Sequence, residues 1–190
     1  MNQGAITIVS GLPRSGTSMM MNMLEAGGMP VLTDRIRSAD TDNPKGYYEF
    51  ERVKGLPEDQ AWLEDARGKA VKVISALLDK LPVRYAYKII FMRRSMPEIL
   101  ASQRQMLVRR GEPADKVSDG KMSEAFAKHL ETIQEWMARQ PNVQVMYVEY
   151  NQALEEPARV ATEINQFLGN CLDEEAMART VDPDLYRQRQ

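Results

Sequence analysis

The segment Ala5-Ile6-Thr7-Ile8-Val9-Ser10-Gly11-Leu12-Pro13-Arg14-Ser15-Gly16-Thr17-Ser18 joins three structural signals in one short run. Ala5 to Val9 is β-branched and apolar, which predicts a buried strand over 5–9. Gly11-Leu12-Pro13 ends it. Thr17 to Ala26 is rich in Met and Leu and stops at Gly27-Gly28, which predicts a helix. Strand, glycine-bearing loop and helix are the opening of an α/β fold.

The same alternation continues downstream. Short apolar runs predict strands over 70–74, 87–92 and 143–148, with helices over 97–109, 122–139 and 157–168 and a last turn over 172–177. The helix over 122–139 carries Met122, Phe126, Leu130, Ile133 and Met137 at helical spacing, one apolar face. Residues 29–48, punctuated by Pro30, Pro44 and Gly46, read as a polar loop. Residues 49–64 read as helical with a break near Pro57. The pattern implies an α/β fold of three layers, a mostly parallel sheet of about four to five strands with helices on both faces. No repeat or linker divides the chain, so one domain is expected over 1–190.

Composition sets the outer bounds. A formal net charge of -2 offers no general basic field, so nucleic acid is not an expected partner. The single cysteine, Cys171, excludes an internal disulfide and fits a reducing compartment. It reads as a small residue at a helix end or in the core. No signal-peptide pattern and no membrane-length apolar run is present, so the cytoplasm is the expected location.

The loop Gly11-x-x-x-x-Gly16-Thr17-Ser18 suits an anion. Its backbone N–H groups can turn inward, and the helix that follows presents its positive end. A Walker A loop would carry Lys before the hydroxyl residue. Here that slot is Thr17, and the cation lies inside the loop as Arg14, whose guanidinium can form paired hydrogen bonds to a phosphate or sulfate group. The missing lysine argues against ordinary ATP or GTP hydrolysis. A second cationic point stands where the strand over 87–92 runs into Arg93-Arg94, with Ser102 eight residues beyond Arg94. The carboxyl ends of parallel strands share one rim, so Arg94 is expected beside Arg14. Ser102 joins them only if its helix passes the ligand.

In Pro13-Arg14-Ser15-Gly16-Thr17-Ser18, and in Arg94 with Ser102, the chain resembles the sulfotransferase family, whose fold is P-loop NTPase-like. Arg14 is most like the tyrosylprotein and bacterial branches. The resemblance implies sulfuryl transfer from 3′-phosphoadenosine 5′-phosphosulfate (PAPS) to an unidentified hydroxyl or amine acceptor, leaving 3′-phosphoadenosine 5′-phosphate. It implies that Pro13, Arg14, Ser15, Gly16, Thr17 and Ser18 hold the 5′-phosphosulfate, that Arg94 and Ser102 hold the 3′-phosphate, and that no metal is required. Alternatives are a non-catalytic nucleotide-binding or interaction protein of the same fold and, less favoured, a phosphotransferase of the nucleotide-kinase type.

A general base is less easily read. Family members use His or Glu, but the only histidine, His129, does not align with the catalytic one and reads as a half-buried or surface helix residue. Carboxylates of the polar loop are the remaining candidates: Asp34, which is spaced from Arg14 much as the catalytic Glu of the tyrosylprotein branch, and Glu49, with Asp40 and Asp42 behind them. The assignment rests on Glu49 or Asp34. The methionines Met19-Met20-Met21 and Met23 read as adaptable core packing and Trp62 and Trp136 as packing anchors; Lys69 and Lys72 flank the second strand, where they could face the ligand rim, and read as solvated. Arg187 and Arg189 in the basic tail are weak candidates for the 3′-phosphate.

Overall fold

A computed structural model describes residues 4–34, 46–113 and 117–182 of the chain. Five strands form one parallel sheet in the order β2-β3-β1-β4-β5. They are β1 (Ile6–Gly11), β2 (Val31–Leu32), β3 (Ala70–Lys72), β4 (Tyr87–Arg93) and β5 (Val143–Glu149). Strand β1 lies between β3 and β4, with Val9 opposite Lys72 and Gly11 opposite Met92. It is buried along its whole length, Thr7 and Ser10 included, as its β-branched and largely apolar run predicts.

The two faces of the sheet are covered differently. Ile6, Ile8, Val71, Ile89 and Phe91 point to one face, where Ile133 and Met137 of helix α3 (Asp119–Arg139) and the fully buried Trp62 pack on them. The predicted stripe of α3 is therefore a core face, though only Ile133 and Met137 are fully buried. Trp62 anchors the layer edge-on against Phe50 at 5.5 Å between ring centroids, and Trp136 packs at its margin. On the other face Val9, Ile90, Met92 and Val148 meet helix α1 (Thr17–Ala26), which brings Met20, Met21, Met23 and Leu24. Helices α4 (Tyr150–Glu155), α5 (Pro157–Leu168) and α6 (Glu174–Arg179) complete that layer. Burying side chains of this size stabilises by roughly 1.5–3 kcal/mol each, so the α/β expectation rests on the methionines as much as on the strands.

Helix α2 (Met96–Arg109) follows β4 as expected. Other elements differ from expectation. Residues 49–64 do not form a broken α-helix; they form two short 3-10 turns over Glu51–Gly55 and Ala61–Leu63, because Gly55 and Pro57 interrupt the run before α-helical bonds can propagate. The loop over 29–48 contains β2, too short to carry an alternation signal. Ser75–Lys80 is a 3-10 turn and Tyr150–Glu155 a short helix, neither foreseen. Of the two places read for Cys171 the structure has the helix end: it is exposed, just past the left-handed Gly169 and Asn170 that end α5.

Candidate functional site

The loop between β1 and α1 is shaped by its backbone. Gly11 and Gly16 have positive φ values of 148° and 99°, and Arg14 is left-handed at 70°. Gly16 caps α1 without any side-chain cap, and no acidic residue stands in the first turn. The helix N-terminus is thus electropositive and not countered by an acidic residue of its own first turn, a condition that favours holding an anion. A Cβ on Gly16 would sit 2.4 Å from Cδ2 of Tyr150, so glycine is needed for close approach as well as for φ. Ser15 is buried, and its hydroxyl has no hydrogen-bond partner among the described residues. Pro13 stands exposed at the tip of the loop.

Three side chains converge on this loop from other elements. Arg94, one residue past β4, donates from Nη1 to the Arg14 carbonyl at 3.1 Å. Ser102, on α2, accepts from Arg14 Nε at 2.9 Å. The predicted pair of Arg94 and Ser102 therefore meets at Arg14, each through a different part of that residue. Lys72 closes β3. Its Nζ donates to the Ser18 hydroxyl at 3.4 Å and also to the Tyr47 carbonyl. The expectation of a solvated Lys72 is corrected: pairing with Val9 carries it alongside the loop, half-buried. Lys69 stays on the far edge, before β3 begins.

Arg94 is enclosed. Its side chain is only 7% exposed, and Nε donates to Glu98 Oε2 at 2.8 Å. Its guanidinium carbon lies 4.4 Å from the centroid of the Tyr150 ring, a cation–π geometry. Burial raises the Tyr150 phenol above its ordinary range, against the lowering effect of Arg94. Beside the loop, between the ends of β4 and β5, is a cavity of about 370 Å³ lined by Leu12, Ser15, Arg94, Ile99, Leu130 and Tyr150. Glu98, Tyr150 and Lys72 were not read as site residues. Tyr150 had one available signal: it stands immediately after a parallel strand, on the rim where such folds bind ligands.

The carboxylate candidates lie past β2. Asp34 Oδ2 accepts from the Glu51 N–H at 2.6 Å, and Asp34 N–H donates to the Glu49 carbonyl at 3.2 Å. Thr33 also donates to that carbonyl. Asp34 thus starts the 3-10 turn over Glu51–Gly55. Tyr47, two residues before Glu49, reaches Ser18 through its carbonyl, so this segment runs beside the loop. Asp40, Asp42, Arg187 and Arg189 lie outside the described residues. His129 is half-buried on α3, with Nε2 2.9 Å from the Ser75 hydroxyl. Among the described residues, no group of three or more His, Cys, Asp or Glu could hold a metal ion. No helix among them is long and apolar enough to cross a membrane.

A family model for the sulfotransferase domain matches residues 6–183. The chain belongs to the sulfotransferase domain family. Solved sulfotransferases share its fold. One from Mycobacterium avium aligns over 100% of this chain and 70% of its own, with a TM-score of 0.58 and 13% identity. One from Alicyclobacillus acidocaldarius aligns over 95% of this chain and 87% of its own, at 0.54 and 17%. A mouse sulfotransferase complexed with PAP aligns over 95% of this chain, at 0.52 and 18%, and this chain spans 63% of it. No curated protein sequence matches the chain significantly. The five-stranded parallel sheet of this sulfotransferase-family chain, with its loop leading into α1, is the P-loop-like arrangement expected from the sequence.

Proposed function

We propose that this chain transfers a sulfuryl group from PAPS to a hydroxyl or amine acceptor. The observation that carries the reading is the bond between Arg94 and the Arg14 carbonyl. It joins two cationic anion sites at one rim, as a donor with phosphate groups at two positions requires. The mouse relative complexed with PAP adds support from within the family.

Pro13 to Ser18 hold the 5′-phosphosulfate in this reading, and Arg94 with Ser102 holds the 3′-phosphate. The acceptor oxygen or nitrogen forms a bond to sulfur while the bond from sulfur to the bridging phosphate oxygen breaks. Negative charge grows on that oxygen. Arg14, Lys72 and the loop N–H groups stabilise it, and a hydroxyl of Thr17 or Ser18 assists. The proton leaving the acceptor goes to a carboxylate. Glu49 or Asp34 is the assignment.

The test is thermal denaturation with 3′-phosphoadenosine 5′-phosphate, ATP with magnesium, and GTP. A ligand at about one hundred times its Kd adds roughly 2.7 kcal/mol to folding stability. Stabilisation by the bisphosphate above the other two is expected. Stabilisation by ATP with magnesium alone would overturn the reading. Alanine at both Glu49 and Asp34 should abolish transfer and leave bisphosphate binding intact; unchanged transfer would remove both from the mechanism.

A further inference from the structure

Glu98 is a buried carboxylate to which the reaction assigns no step. Its side chain is 6% exposed, and it stands in the first turn of α2, where the helix N-terminus favours a negative charge. One oxygen accepts from Arg94 Nε at 2.8 Å. The other accepts from Asn151 Nδ2 at 3.3 Å. Asn151 follows Tyr150, whose ring lies under the Arg94 guanidinium. The carboxylate therefore ties the start of α2 to the start of α4, with Arg94 between them.

Arg94 is aimed from several sides. Glu98 fixes its Nε, the Arg14 carbonyl fixes Nη1, and the Tyr150 ring fixes the plane. A long side chain held this way has little rotamer freedom left to lose on meeting an anion, which is how preorganisation improves affinity. The holding group is a carboxylate, which also opposes the binding of a second negative charge. Reach and charge thus act in opposite directions at Glu98, and variants can separate them.

We propose that Glu98, steadied by Asn151, is the positioning residue of the second anion site: it sets the direction of Arg94 and so the preference for a nucleotide with a 3′-phosphate over one with a 5′-phosphate alone. The proposal rests on the donor reading above.

The test compares affinities for 3′-phosphoadenosine 5′-phosphate and adenosine 5′-phosphate by calorimetry. Glu98→Asp keeps the charge and shortens the reach. Glu98→Gln keeps the reach and an acceptor oxygen, and Asn151 can turn its amide to meet the new one. Expected for Glu98→Asp is a loss of about tenfold or more in the ratio of the two affinities, the scale of one hydrogen bond to a charged group. Monophosphate affinity should stay within about twofold. Glu98→Gln should keep the wild-type ratio or exceed it. A residue that only supports the fold would lower the melting temperature and leave the ratio alone, and that result for Glu98→Asp overturns the proposal. Loss of the ratio in Glu98→Gln but not in Glu98→Asp also overturns it, in favour of charge. If Glu98→Asp does not fold, Asn151→Ala takes its place, with a smaller loss expected and an unchanged ratio overturning the proposal. A wild-type protein that does not distinguish the two nucleotides brings down the donor reading itself, and this proposal with it; a failure confined to the variants leaves the donor reading standing.

Discussion

The two halves of the candidate site are built from different materials. The loop after β1 is made of backbone: positive φ at Gly11, Arg14 and Gly16, and a helix start without a side-chain cap. The half after β4 is made of side chains: Arg94 and Asn151, from different elements, hydrogen-bond the Glu98 carboxylate, and Ser102 accepts from Arg14 of the loop. A backbone half depends on where glycine is allowed. A side-chain half depends on which partners arrive. The first should break by steric substitution and take the fold with it. The second should break one bond at a time and lose selectivity before stability.

Gly16→Ala should have the largest effect. The new Cβ meets Tyr150 at 2.4 Å in a backbone region that L-residues avoid. Positive φ and overpacking together should destabilise on the order of 2–5 kcal/mol, a drop of several degrees or more in melting temperature. Adding Tyr150→Ala should recover part of the loss if the overlap is the cause. A double variant that simply adds the two losses would refute the close-packing account.

Lys72→Met and Arg94→Ala come next, and together they test the division of labour. Lys72 touches Ser18 in the loop half. Its removal should weaken bisphosphate and 5′-monophosphate alike, by about tenfold or more. Arg94→Ala should weaken the bisphosphate far more than the monophosphate. If the two variants lose the same preference, the halves are not separate subsites.

The smallest effect expected is on alkaline stability. Burial raises the phenols of Tyr150 and Tyr87. A pKa higher in the folded chain means that the fold binds the proton more tightly. That stability is complete below the unfolded value, about pH 10, and is lost as pH rises toward the folded value. Melting temperature should hold steady from about pH 8 and decline above about pH 10. Tyr150→Phe should flatten part of that decline, leaving Tyr87 to account for the rest. A slope unchanged by the substitution would remove Tyr150 from the effect.

The same division explains what the sequence disclosed. The loop is a local object: strand, glycine spacing and helix start lie in one run from Ala5 to Ser18, so spacing alone carries it. The apolar strands and methionine helix are local too. Glu98, Asn151 and Tyr150 are ordinary surface types whose meaning comes from neighbours folded beside them. Arg94 and Asn151 are 57 residues apart, yet both bond the same carboxylate. Lys72 misled because nothing in its own segment separates a lysine in water from one paired into a parallel rim beside Val9. The 3-10 turn over Ser75–Lys80 and the two-residue β2 were hidden for another reason: both are too short to display a period.

The bond from Arg94 to the Arg14 carbonyl has one more consequence. It ties a side chain of one half to the main chain of the other, so the gap between the two proposed anion subsites cannot stretch without losing it. The rim then works as a ruler as much as a charged surface. Added salt should weaken every anion it holds, but the ranking of nucleotides should survive, because the ranking is set by how far apart their charges stand.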